Sequence, residues 1–149
     1  MNKLILFSFL SFASYAQQNY QVSFLENPLK VDGKLDDLAW QKIPKMGDFW
    51  QYFPSDSMAA KYNTQVYMAY DEKNVYIGAY MESKGDKYVV PTLQRDFRAG
   101  GNDNVNFIFD TFRDNTNAFL FGVNPLGVQR EALLSNGAAS IGSFNTSWD

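Results

Sequence analysis

One ten-residue stretch decides how this chain is interpreted: Val31-Asp32-Gly33-Lys34-Leu35-Asp36-Asp37-Leu38-Ala39-Trp40. Asp32-Gly33 is a dipeptide typical of tight turns. Asp36 is placed to cap the N-terminus of a short helix, because its carboxylate can accept bonds from the free amides of the first turn. Leu35 and Trp40 then flank the helix start at the spacing of a hydrophobic staple. The stretch therefore predicts a short helix that Trp40 anchors over a sheet.

The first sixteen residues have the pattern of a signal peptide. Lys3 precedes an apolar stretch over residues 4–13, and Ser14-Tyr15-Ala16 supplies the small residues that a signal peptidase recognises before Gln17. The alternative is a short membrane anchor, but ten residues fall well short of the ~20 that span a bilayer. We therefore expect residues 1–16 to be a signal peptide and the protein to be exported.

The remaining chain, residues 17–149, has the length of one domain. Removal of Lys3 changes 13 basic and 16 acidic residues to 12 and 16, a net charge of -4. Nucleic acid binding requires a basic surface, so this balance argues against it. The chain contains no His and no Cys, which excludes His-dependent nucleophile systems, His-ligated zinc and disulfides.

The rest of the sequence predicts short strands separated by turns, and its aromatic content of 17% suits β-structure. Short strands without long intervening helices favour an antiparallel β-sandwich with one short helix. We predict strands over residues 20–25, 49–53, 64–70, 75–81, 104–110, 118–123 and 128–134, and a loop over residues 137–147.

Residues 64–81 have the pattern of a hairpin around a four-residue polar loop. If Tyr70 pairs with Val75, two faces follow. The predicted core face carries Val66, Met68, Tyr70, Val75, Ile77 and Ala79, and the other carries Gln65, Tyr67, Ala69, Tyr76, Gly78 and Tyr80. Tyr67 would lie opposite Gly78 and cover it. The tyrosine face is either half-buried under a neighbouring segment or a platform for a sugar ring or a partner.

Four segments together resemble family 9 carbohydrate-binding modules and their relatives. They are residues 31–40, Thr64-Gln65-Val66 with residues 69–78, residues 103–110, and residues 121–130. Arg95-Asp96 and Phe121-Gly122-Val123-Asn124-Pro125 are most similar to a branch that forms the N-terminal domain of large exported Bacteroidetes-type proteins. In that branch a domain of unknown function follows, with the character of an outer-membrane β-barrel.

The resemblance implies a jelly-roll-like β-sandwich that binds a polysaccharide or oligosaccharide, often with calcium. It also implies a location in the periplasm or outer membrane of a Gram-negative bacterium, and a role in carbohydrate catabolism. A β-barrel in the same longer chain would be a second partner. The family's final hairpins do not occur before Asp149, so we expect the sandwich to be incomplete, with exposed strand edges.

The chain departs from the family where sugar is bound. Sugar-binding members stack the ring between two tryptophans, one of them shortly before the position matched by Asp103. This chain has Ala99-Gly100-Gly101 there. The second tryptophan would fall in the family's last part, which this chain lacks. The family's acidic residue and arginine that contact the sugar correspond to Asn106 and Gly122. The usual sugar site is therefore missing.

Other aromatic residues are the candidates for sugar binding. Trp50 and Tyr52 alternate onto one face opposite Phe49 and Phe53, so one pair should be core and the other outward. Trp148 lies at the end of the predicted 137–147 loop. We predict Trp50, Tyr52 and Trp148 as carbohydrate-binding residues, with packing in a core or an interface as the alternative.

The carboxylates predict no catalytic pair. Asp103 and Asp110 would lie about 23 Å apart on opposite faces of one strand, whereas a glycosidase pair needs ~5–10 Å. Asp110, Asp114 and Asn115 cluster in one loop whose oxygen ligands suit Ca²⁺, unless they are only solvated turn residues. Three functions follow: a sugar-binding module, a structural or gating domain on a membrane barrel, or an accessory domain of a glycoside hydrolase.

Overall fold

The computed structural model describes residues 19–85, 87–136, 138–141 and residue 148. The chain divides into two compact units, Met1–Glu82 and Ser83–Asp149. The predicted signal peptide lies outside the described residues. Among the residues in these ranges, no helix has the length and apolar character that crossing a membrane requires.

The described residues form two sheets and one short helix, which confirms the predicted all-β class. The elements are β1 (Ser23–Phe24), α1 (Leu38–Lys42), β2 (Lys45–Met46), β3 (Thr64–Tyr70), β4 (Val75–Met81), β5 (Val105–Phe109), β6 (Asn117–Val123), β7 (Gln129–Ser135) and β8 (Ala138–Ile141). All pairs are antiparallel except β1 with β3. The jelly-roll arrangement stays a prediction.

Strand β3 is the centre of the first sheet. It pairs with β4 along its whole length, and with the short strands β1 and β2 near its two ends. The hairpin register is the predicted one, because Tyr70 pairs with Val75 and Tyr67 pairs with Gly78. The predicted strand over residues 20–25 shortens to β1.

The core of the first unit lies on the tyrosine face of the hairpin. Its buried cluster contains Leu29, Trp40, Ile43, Ala69 and Tyr76, with Leu25, Leu35, Ala39 and Tyr67 packed against it. On the opposite face Val66 is buried, but Tyr70 and Val75 are exposed. The predicted assignment of core and outer face was therefore wrong for this unit. Tyr67 and Tyr76 are covered by the segment that carries Trp40, which is the alternative stated for this face, whereas Tyr80 at the end of β4 is exposed.

Helix α1 begins one residue later than predicted. Its N-cap residue is Asp37 rather than Asp36, and the Asp37 side chain makes no capping bond. The Asp32-Gly33 turn is confirmed: Lys34 N donates to Asp32 Oδ1 at 3.0 Å, and Gly33 has φ +76°. The helix is held mainly by the burial of Trp40, since a five-residue helix has little stability of its own.

Gly78 makes the packing of Trp40 possible. A Cβ at this position would lie 2.6 Å from Leu35 Cδ2 and 3.0 Å from Trp40 Cζ3. Leu35 and Trp40 therefore converge on the same point of β4, although with Asp37 as the N-cap they no longer occupy the N′ and N4 positions of a hydrophobic staple. The Trp40 ring also meets the Tyr67 ring edge to face, with centroids 6.2 Å apart.

We predict that Gly78→Ala lowers the free energy of unfolding by about 1–3 kcal/mol, because the new methyl group overpacks a filled site. Urea denaturation monitored by circular dichroism measures this loss. Gly47→Ala is the matched control, since its Cβ would lie 3.8 Å from the nearest atom, Thr64 O, in ordinary contact. Equal stability of the two variants would contradict the packing described here.

The loop between β3 and β4 is organised by Asp71. Its Oδ1 accepts bonds from Lys73 N and Asn74 N, both at 2.7 Å, and its Oδ2 accepts one from Tyr76 Oη at 2.7 Å. These bonds favour the ionised carboxylate, and the Tyr76 bond contributes most, so the pKa of Asp71 falls from 3.8 to about 2.

A lowered carboxyl pKa stabilises the fold above pH 3.8, and that stabilisation is lost as the pH falls toward about 2. In Tyr76→Phe the main cause is removed, so we expect the pKa of Asp71 to move back toward 3.8 and acid unfolding to begin at higher pH. An NMR titration of the Asp71 carboxyl carbon checks this shift. An unchanged midpoint would show that the backbone bonds alone set the pKa.

The second sheet has the order β5-β6-β7-β8. Strands β5, β6 and β7 confirm the predicted positions within one residue at each end. The predicted loop over residues 137–147 was wrong over residues 138–141, which form β8 and pair with β7, for example Ala139 with Leu134. The ladder of β7 compensates for the low strand propensity of this small-residue segment. Gly137 and residues 142–147 lie outside the described residues.

Candidate binding surfaces

Residues 49–60, which we call the aromatic loop, replace the predicted strand over residues 49–53. A single bridge between Trp50 and Ala59 closes the loop. Gln51 N donates to Met58 O at 3.0 Å, and Ala60 N donates to Phe49 O at 2.8 Å. Pro54 follows the aromatic residues and has no amide proton, so the ladder cannot continue through it.

All four aromatic residues at the start of this loop are exposed. The exposed fraction is 68% for Trp50 and 92% for Tyr52, and Phe49 and Phe53 are also exposed at 40% and 82%. The prediction that one pair would be core was therefore wrong. Trp50 and Tyr52 lie in the same short loop, and their rings are open to a ligand.

Trp148 lies in the other unit and is already engaged. Its Nε1 donates to Glu131 Oε1 at 2.7 Å, and its carbonyl accepts a bond from Gln129 Nε2 at 2.6 Å. Its ring meets the Phe121 ring edge to face, with centroids 5.6 Å apart. The residue is thus half-buried against β6 and β7.

Glu131 on β7 is a fully buried carboxylate. Arg95 Nη2 pairs with its Oε1 at 2.7 Å, and Arg95 Nη1 donates to Gln129 Oε1 at 2.7 Å. Asp96 Oδ1 accepts a bond from Glu131 N at 2.9 Å. A buried charge requires such compensation, so this network fastens residues 95–96 to β7. Sequence reasoning missed it, although an acid within the apolar run of β7 was a usable signal.

We predict that Glu131→Gln destabilises the protein by about 1–3 kcal/mol, since it replaces the charge-assisted bonds of the buried carboxylate by neutral ones, while the partly exposed Arg95 can be hydrated. Thermal and urea unfolding measure the loss. Lys30→Met serves as the control, because the Lys30–Asp32 pair at 2.9 Å lies on the surface, where an ion pair adds little. A Glu131→Gln variant as stable as Lys30→Met would refute a structural role for the buried pair.

Asn106, Gly122 and Arg130 lie side by side on the opposite face of the second sheet. The register pairs Asn106 with Gly122 and Gly122 with Arg130. Arg130 Nη1 donates to Asn106 Oδ1 at 3.1 Å, and its Cζ lies 5.8 Å from the centroid of the Phe97 ring. Sequence reasoning missed Arg130, but extending the register from β6 to β7 would have placed it beside the two positions matched to the family's sugar contacts.

The predicted calcium ligands form a tight turn. Asp114 Oδ1 accepts bonds from Thr116 N and Asn117 N, both at 2.8 Å, and Asp110 Oδ2 accepts one from Asn115 N at 3.2 Å. The Asn117 side chain, followed by these backbone bonds, holds the pKa of Asp114 well below its ordinary value. In the described part of the chain, no three His, Cys, Asp or Glu residues are grouped to hold a metal. Calcium at Asp110, Asp114 and Asn115 stays a prediction.

Comparisons with protein families, curated proteins and solved structures found no match to this chain. The resemblance to carbohydrate-binding modules therefore depends on its sequence motifs alone.

Proposed function

We propose that this chain is a non-catalytic carbohydrate-binding-type module of an exported protein at the cell envelope, with a role in polysaccharide use. The observation that carries the proposal is the exposure of Trp50 and Tyr52 on the aromatic loop. Tyr67 and Tyr76 of the hairpin do not supply this surface, because they are packed with Trp40 and its neighbours.

The chemistry of these two side chains suits a sugar. An indole or phenol ring offers a flat apolar face to the C–H face of a pyranose, and its N–H or O–H can bond to a hydroxyl. The bridge between Trp50 and Ala59 holds the base of the loop, which lowers the entropy lost when a ligand binds. No catalytic residue is assigned.

A second candidate is a structural or gating domain that docks on an outer-membrane β-barrel. It is favoured by Phe49, Phe53 and Met58, which are exposed in the same loop and have no hydrogen-bonding side-chain group. Exposed apolar side chains grouped in one loop are typical of protein contacts. A sugar site would depend on Trp50 and Tyr52, whereas barrel docking would depend on Phe49, Phe53 and Met58.

We predict that Trp50→Ala and Tyr52→Ala each weaken polysaccharide binding about tenfold or more, because burying an aromatic side chain contributes roughly 1.5–3 kcal/mol. Calorimetric titration of the protein against a panel of soluble polysaccharides, with and without Ca²⁺, measures the effect. Tyr88→Ala is the matched control, since Tyr88 is an exposed aromatic residue outside the loop.

Binding lost in the two loop variants and kept in Tyr88→Ala would support the sugar site. A folded protein that binds none of the polysaccharides would reject it. If Phe49→Ala and Phe53→Ala then abolished association with a purified barrel domain, the docking function would replace it.

A further inference from the structure

We propose that Arg130 is the centre of a binding site for a carboxylate-bearing ligand on the second sheet. This site goes beyond the proposed function, since it involves neither Trp50 nor Tyr52 and lies in the other unit. The observation behind it is a buried guanidinium whose charge has no counterpart among the described residues.

The burial of Arg130 is almost complete, at 5% exposed. In the described part of the chain its partners are a neutral amide oxygen, Asn106 Oδ1, and the face of the Phe97 ring, and its Nε has no hydrogen-bond partner. Arg95, by contrast, has a counter-charge on this sheet, because it pairs with the Glu131 carboxylate at 2.7 Å. A buried charge without a counter-charge is costly, and the described residues supply no counter-charge for Arg130.

Neighbouring residues of the second sheet, together with Phe97, fix the position of the Arg130 side chain. Gly122 lies between Asn106 and Arg130, and a Cβ there would lie 2.7 Å from Arg130 Cγ and 2.3 Å from Asn106 Oδ1. Only a position without a side chain lets the arginine stem cross β6. Phe97, at 3% exposed, packs on the guanidinium. The arginine is thus directed toward Asn106 by its surroundings.

A ligand could reach Arg130 from the side of Asn106. Asn106 is exposed, and its Nδ2 donates to Asn104 Oδ1 at 2.6 Å, so it offers Arg130 only its oxygen. A carboxylate would displace this neutral acceptor, because it adds a counter-charge and can accept two parallel N–H bonds from the guanidinium. The planar guanidinium presents its N–H groups as a fork that matches the two oxygens of a carboxylate.

The charge of the chain favours a small anionic group over a polyanion. Its formal net charge is -3, which repels a densely charged polymer at long range. One arginine is sufficient for the single charge of a carboxylate. The carboxylate could belong to a sugar acid or to a peptide terminus, and the experiment separates the two.

The test follows the Arg130 Nε–H signal by NMR while the protein is titrated with D-glucuronate, N-acetylalaninate or D-glucose. We expect a saturable shift with a carboxylate and none with glucose. A stronger response to glucuronate identifies a sugar acid, and a stronger response to N-acetylalaninate identifies a peptide carboxylate. No shift with either carboxylate would overturn the proposal.

Two substitutions of Asn106 and one of Arg130 complete the test. Asn106→Asp places an internal carboxylate on Arg130, so we expect a higher melting temperature and at least about tenfold weaker carboxylate binding. Asn106→Ala removes the neutral acceptor and should bind at least as tightly as the natural protein. Undiminished binding by Asn106→Asp would contradict the site, and so would carboxylate binding retained in folded Arg130→Gln.

Discussion

The packing of Trp40 against a strand position without a side chain is the constraint on which the first unit depends. Gly78 lets the indole approach the β-hairpin closely. The Leu35 side chain, which precedes the helix, packs against the same position of β4. Because Trp40 occupies this face, Tyr67 and Tyr76 become part of a core. This packing removes Tyr67 and Tyr76 from the candidate ligand surface, whereas Trp50 and Tyr52 of the aromatic loop are exposed.

The second unit depends on two charged residues of β7, Glu131 and Arg130, both of which are buried. Glu131 is completely buried, and Arg95, Asp96 and Trp148 satisfy it from segments distant in sequence. Arg130 lies one residue earlier on β7, so its side chain points to the opposite face. There it has only neutral partners among the described residues. Two adjacent charged residues thus serve different ends, one structural and one available to a ligand.

Local sequence signals predicted local structure well. The Asp32-Gly33 turn, the short helix and the pairing of Tyr70 with Val75 follow from turn chemistry and strand alternation, which act over a few residues. The choice of core face did not follow, because both faces of the hairpin carry apolar and aromatic residues. Only the position of Trp40, set by the path of residues 31–40, decides between them.

Long-range contacts explain the other misses. Strand β8 has little strand propensity and exists because β7 offers a free edge. The Glu131 network joins residues 17 and 36 positions apart, which no local pattern reveals. Among the candidate sugar residues, Trp50 and Tyr52 were found from alternation. Their exposure follows from a single bridge in place of the predicted strand, which the sequence did not indicate.

The indole N–H groups of the three tryptophans report which of these residues are buried and which one contacts a ligand. In a proton–nitrogen NMR spectrum, the indole N–H of Trp50 should exchange rapidly with deuterated water, because that residue is exposed. Those of Trp40, which is buried, and Trp148, which is bonded to Glu131, should exchange slowly. When a polysaccharide that the protein binds is added, only the indole N–H signal of Trp50 should shift. A protected Trp50, or a shift confined to Trp40 or Trp148, would contradict the assignment of core and ligand surface.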